Sequence, residues 1–105
     1  MKNNNKYVIP RKKNIKGDIE FLYEKASNFY ELGQYETAIE YCKEILKSSE
    51  NNIYCLYLLG LSFLKLTNYI QSVYFFEKIL KIDSNYTLAI NNLMIIYLDY
   101  LFITF

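Results

Sequence analysis

The chain has 105 residues, 52% hydrophobic and 18% aromatic, with three glycines, one proline, two cysteines, no histidine and a formal net charge of +1. This is one domain's length with apolar residues enough for a core, and its few turn residues argue against an all-β fold, which needs a turn about every 8 to 12 residues. Without histidine, Ser-His-Asp and Cys-His catalysis, His-ligated zinc and imidazole general bases are excluded.

The charge is unevenly divided. Residues 1–17 carry +6 with no acid, whereas the remainder carries −5. The leader is also rich in asparagine (Asn3, Asn4, Asn5, Asn14), and this composition predicts a solvated, disordered arm. A nucleic-acid contact would need the basic residues to continue onto a folded face, and they do not, so nucleic acid is not the expected partner. No long apolar run follows the basic residues, which argues against a secretory signal. Cys42 and Cys55 match neither a redox pair nor a zinc spacing and read as small core residues of a reduced protein. The expected location is intracellular, in the cytoplasm first, with the cluster from Arg11 to Lys16 leaving the nucleus open.

From Asp18 onward, apolar residues recur every three or four positions, as in Leu22, Ala26, Phe29 and again Ala38, Cys42, Ile45. The pattern predicts helices at 18–32, 35–48, 53–66, 69–82 and 87–101, with Asp18, Asn68 and Thr87 as N-caps. Glu77 with Lys81, and Glu40 with Lys43, are spaced to pair along a helix. Glu36, Glu40 and Glu44 form the solvated back of the second helix rather than a metal or acid–base cluster, because nothing nearby supplies nitrogen ligands or a nucleophile. No metal, cofactor or catalytic residue is expected.

Shifted by 34 residues, the sequence matches itself: residues 19–52 and 53–86 agree at ten positions, among them Leu22/Leu56, Tyr23/Tyr57, Phe29/Phe63 and Ile45/Ile79. Each unit breaks in its middle, at Leu32-Gly33-Gln34 and Leu66-Thr67-Asn68, giving two antiparallel helices joined by a tight turn. This 34-residue unit resembles the tetratricopeptide repeat. The string Gly33-Gln34-Tyr35-Glu36-Thr37-Ala38 is most like the family pattern, and Ala26 with Ala38 and Gly60 with Ser72 are its small residues at helix crossings. Lys25 departs from the family's usual leucine, and Glu50 and Ser84 stand where a proline is usual. The resemblance implies an all-α stack of helix pairs, with repeats at 19–52 and 53–86 and a truncated repeat or terminal helix at 87–105.

It also implies function: a non-enzymatic interaction module or scaffold, whose first helices line a concave groove for an apolar or amphipathic peptide or a neighbouring subunit. The residues expected to line it are Tyr23, Ser27 and Tyr30, then Tyr54, Tyr57, Leu58 and Leu61, then Asn91, Asn92 and Ile95. Family members that grip chaperone tails carry a carboxylate clamp. The corresponding positions here, Tyr23, Ser27, Leu58, Leu88 and Asn92, hold no cation, so that ligand is not expected. The alternative is a fragment or substrate-recognition arm of a larger enzyme or ubiquitin-ligase-type assembly, with catalysis elsewhere.

The third unit starts in phase, placing Ile90, Leu93 and Tyr97 at core positions, and the sequence given reaches Phe105 before a second helix. Met94 stands where a small residue would admit that helix. The apolar stretch from Leu93 to Phe105 is interrupted by Asp99 and is too short for a membrane span of about 20 residues. The edge formed by Ile90, Met94, Tyr97 and Leu101 is expected to be covered: by a second copy end to end, by another protein, or by further repeats.

Overall fold

The computed structural model describes residues 15–104. Residues 1–14, and with them most of the basic leader, lie outside the described residues. Five helices follow in order: α1 (Ile15–Glu31), α2 (Tyr35–Leu46), α3 (Ile53–Lys65), α4 (Tyr69–Ile82) and α5 (Thr87–Thr104). Each helix packs on its neighbour in sequence, α1 on α2 and α3 on α4, with α2 against α3 and α4 against α5 joining the units. This is the all-helical repeat stack that the tetratricopeptide resemblance implies.

Both turns within the units close in the same way. Gln34 N–H donates to the Phe29 carbonyl at 2.8 Å and Asn68 N–H to that of Phe63 at 2.8 Å, while Gly33 and Thr67 N–H donate to Tyr30 and Leu64. That pattern requires a left-handed residue at the helix end. Gly33 supplies it at φ 80°, but in the second unit Thr67, a β-branched residue, is held at φ 58°. Thr67→Gly should therefore stabilise the protein by about 0.5 to 1 kcal/mol, read as a higher urea midpoint at unchanged slope. No gain would mean that this turn is relaxed as it stands.

Helix starts follow the expectations in part. Asn68 caps α4, its side chain accepting from Gln71 N–H at 3.2 Å, and Asn52 caps α3 by accepting from Cys55 N–H at 3.1 Å. Asp18 is not an N-cap: α1 begins at Ile15, and Asp18 lies in its first turn, where a carboxylate favours the positive helix end. Thr87 is already the first residue of α5, and the Tyr86 carbonyl receives the N–H groups of Ala89 and Ile90. Glu77 takes the Tyr97 hydroxyl at 2.9 Å in place of the expected Lys81 partner, and Lys47 pairs with Glu44 at 3.0 Å.

Two apolar clusters form the core. The first gathers Leu22, Ala26, Ile39, Cys42 and Ile45 of the first unit with Cys55, Leu58 and Leu59 of α3. Both cysteines are free and buried in it. A hydrogen bond with Cys55, followed by burial, pushes the Cys42 thiol far above its usual value, so it stays protonated. The second cluster joins Leu56 of α3, Phe76 and Ile79 of α4, and Ala89, Leu93 and Ile96 of α5. Helix α3 thus serves both units, one face turned to each.

Helix α5 corrects the expected core. Leu93 is buried as expected, but Ile90 is only half-buried and Tyr97 is 47% exposed, while Ala89 and Ile96 are buried instead. In the 34-residue register, Ile90 and Tyr97 correspond to Leu56 and Phe63, which face the second helix of their own unit. Among the described residues α5 has no such helix. It turns inward the face corresponding to Cys55, Leu59 and Ser62, with which α3 meets the unit before it. Lys25 of α1 has the same explanation at the other end. It is the counterpart of Leu59, no described helix covers that face, and its ammonium lies 5.4 Å over the Phe21 ring.

Candidate protein-docking surfaces

A band of tyrosines runs across the first helices of the units. Tyr23 of α1 meets Tyr54 of α3 edge-on, with centroids 6.3 Å apart. One turn further along α3, Tyr57 packs edge-on against Tyr86, in the link before α5, at 6.0 Å. Asn92 of α5 completes the band, its amide donating to the Tyr57 hydroxyl at 3.0 Å and to the Leu88 carbonyl at 2.9 Å. Tyr54 is 69% exposed, and Leu88 and Ile95 are exposed apolar residues of α5.

Electrostatically the band is neutral. Burial, then the nearby Cys55 and Cys42 thiols, raises Tyr23 above the ordinary 10.0; burial, then Tyr57, raises Tyr86 in the same direction. Burial, then Tyr35, does so for Tyr30. These side chains therefore present phenol hydroxyls and ring edges, a combination suited to apolar segments with polar backbone. Both amide protons of Asn92 are already engaged, so the last clamp-like position has no donor left for a carboxylate.

The residues expected in the groove divide. Tyr23, Tyr54, Tyr57 and Asn92 come together in the band, with Ile95 and Asn91 exposed on α5. Tyr30 lies apart, edge-on to Tyr35 at 5.3 Å, and Ser27 is half-buried. Leu61 is half-buried against the second cluster. Leu58 is no groove residue: it is 5% exposed because its helix face packs into the first cluster. Tyr86 was not among the expected residues. It lies in a turn, and helical phase does not say where a turn residue points.

A second surface lies at the α5 end. An open cleft of about 870 Å³, with Leu66, Thr67, Ile70 and Val73 on one side and Ile96 and Tyr97 on the other, separates the start of α4 from the later part of α5. Of the predicted terminal edge, Met94 and Tyr97 are exposed and Ile90 is half-buried; the Leu101 side chain lies outside the described residues. Among the described residues no helix is long and apolar enough to cross a membrane, and no group of three or more acids and thiols could hold a metal ion.

Two in-phase helix pairs, a shared core helix and exposed aromatic surface define a tetratricopeptide-like helical-repeat protein, a class of scaffold that mediates protein–protein interaction. More particularly, the chain belongs to the family described as anaphase-promoting complex, cyclosome, subunit 3, whose model matches residues 10–79. The match takes in both turns and most of α4, and stops short of α5. Among curated proteins none matches the chain.

Proposed function

We propose that the chain is a non-enzymatic docking module that holds an apolar or amphipathic segment of another protein against the band from Tyr23 to Asn92. The supporting observation is the run of edge-on pairs along the first helices, Tyr23 with Tyr54 and Tyr57 with Tyr86, the second tied to α5 by Asn92, with Tyr54 at 69% exposure. Tyrosine contributes large contact area at low entropic cost, which suits it to recognition. The family's description, a subunit of a complex, favours service within a multi-subunit assembly, with any chemistry on other subunits. A substrate-recognition arm of a ubiquitin-ligase-type assembly is one form that service would take.

The test uses variants chosen for exposure. Tyr54→Ala and Ile95→Asp alter exposed residues of α3 and α5 without entering either core cluster. Captured partners should fall about tenfold, the loss of roughly 1.4 kcal/mol, with helical content unchanged by circular dichroism. The same partners recovered in the same amounts with both variants would refute this reading.

A further inference from the structure

The charge asymmetry of the chain is concentrated at α1. Glu20, Glu24 and Glu31 are exposed there, and among the described residues none of them makes an ion pair. At about 100° of turn per residue they fall within about 40° of one another, in a stripe that runs beside Tyr23 and away from Lys25. The acidic row of α2 differs, since Lys43 and Lys47 accompany it and Lys47 holds Glu44 at 3.0 Å. Next to the α1 stripe, Tyr23 is half-buried and Tyr54, edge-on to it, is 69% exposed. Unpaired carboxylates beside exposed phenol rings suit a segment that carries cations around a short apolar run.

Residues 1–14 have that composition. Lys2, Lys6, Arg11, Lys12 and Lys13 give them +5 without an acid, and Tyr7-Val8-Ile9 is an apolar run between those cations. Pro10 biases Ile9 towards extended backbone, so the run is favoured in a form that can lie along a surface. Its reach also fits. The segment joins α1 at Ile15, and Tyr23 lies eight residues further on, about 12 Å along the helix axis. With the chain reversing over residues 11–14, the four residues from Tyr7 to Pro10 span about 13 Å when extended, which brings Tyr7 level with Tyr23.

We propose that the basic leader folds back along α1 as an internal ligand, its cations on the stripe of Glu20, Glu24 and Glu31 and Tyr7-Val8-Ile9 on the Tyr23–Tyr54 pair. This rests on the reading of the tyrosine band as a docking surface and adds its regulation: a partner's segment must displace the leader. A short tether presents the leader at roughly millimolar effective concentration, so weak contacts suffice to fill the site. The charge contacts are exposed, so added salt weakens them and opens the band.

The chain contains no tryptophan, so Tyr7→Trp in the full chain reports on residue 7 alone. Its emission should lie to the blue of the same residue in a free peptide of residues 1–14. About 1 M sodium chloride, with a screening length of about 3 Å, should move it towards the peptide value. Glu20→Lys combined with Glu24→Lys should do the same, as should Tyr54→Ala. The matched reversal on α2, Glu36→Lys with Glu40→Lys, should leave the emission unchanged. Emission equal to that of the free peptide, or a blue shift indifferent to the α1 reversals or to Tyr54→Ala, would overturn the proposal. So would a shift that grows with protein concentration, since the leader would then lie on a second copy. No partner enters this measurement, so its failure is distinct from failure of the docking function. For the regulation, Val8→Asp with Ile9→Asp should raise the amount of captured partner about threefold, as expected if the leader fills the band two-thirds of the time. Unchanged capture from a chain whose leader emission shows it docked would refute the competition.

Discussion

Gly60→Ala, one of the smallest substitutions available, should be among the most damaging. A Cβ at this position would stand 2.5 Å from Cε1 of Phe76, 2.7 Å from Cζ and 2.8 Å from Cδ1. Phe76 is fully buried, so its ring has no solvent to move into. The crossing is fixed from the other side as well, because the Ser72 hydroxyl donates to the Gly60 carbonyl at 2.8 Å. At an exposed helix site the change from glycine to alanine would stabilise by about 1 kcal/mol. Here overpacking of roughly 3 kcal/mol or more outweighs that gain, and a net loss of about 2 to 3 kcal/mol should appear in urea unfolding.

The first unit supplies a control for the same crossing. One period earlier, Gly60 and Phe76 correspond to Ala26 and Cys42, both buried in the first cluster. The two units divide space differently: alanine with a small thiol in one, glycine with a large ring in the other. Phe76→Cys alone should cost about 3 kcal/mol through the cavity it leaves. Combined with Gly60→Ala it should cost less than the two together, by roughly 1 to 2 kcal/mol, because the added methyl enters space the ring has left. Strict additivity would show that the ring does not limit residue 60.

That crossing also marks how far the sequence could be read. Ala26, Ala38, Gly60 and Ser72 were legible as small residues at a helix crossing through the resemblance to the tetratricopeptide repeat, which implies such a pair in each unit. The reason Gly60 must be glycine was not, since it depends on the volume of Phe76, sixteen residues away on another helix. Helices α2 to α4 were legible to within two residues at each end, their periodicity being reinforced by two in-phase copies. The band was legible only in part. Tyr23, Tyr54 and Tyr57 followed from outward positions on first helices, but Leu58 was misread, because α3 is covered on two faces rather than one. Helix α5 is apolar almost all round, with seven of its large hydrophobic residues exposed, so composition could not select its buried face.

The orientation of α5 yields the second large effect. Reading the third unit by analogy with the first two makes Tyr97 a core residue, the counterpart of the half-buried, stacked rings of Phe29 and Phe63. The structure reverses that ranking: Ile96 is 3% exposed within the second cluster, whereas Tyr97 is 47% exposed and makes an exposed hydrogen bond to Glu77. Ile96→Ala should cost about 2 to 4 kcal/mol, since it opens a cavity beside Leu93 within the second cluster. Tyr97→Ala should cost less than about 1 kcal/mol, the range of an exposed hydrogen bond and partial ring burial. In a short repeat array each interface contributes separately to a small total. Loss at Ile96 should therefore also loosen α5 ahead of the rest, seen as faster hydrogen exchange in 87–104 than in α2. Equal costs at the two sites, or a larger one at Tyr97, would mean that α5 lies on α4 by its other face.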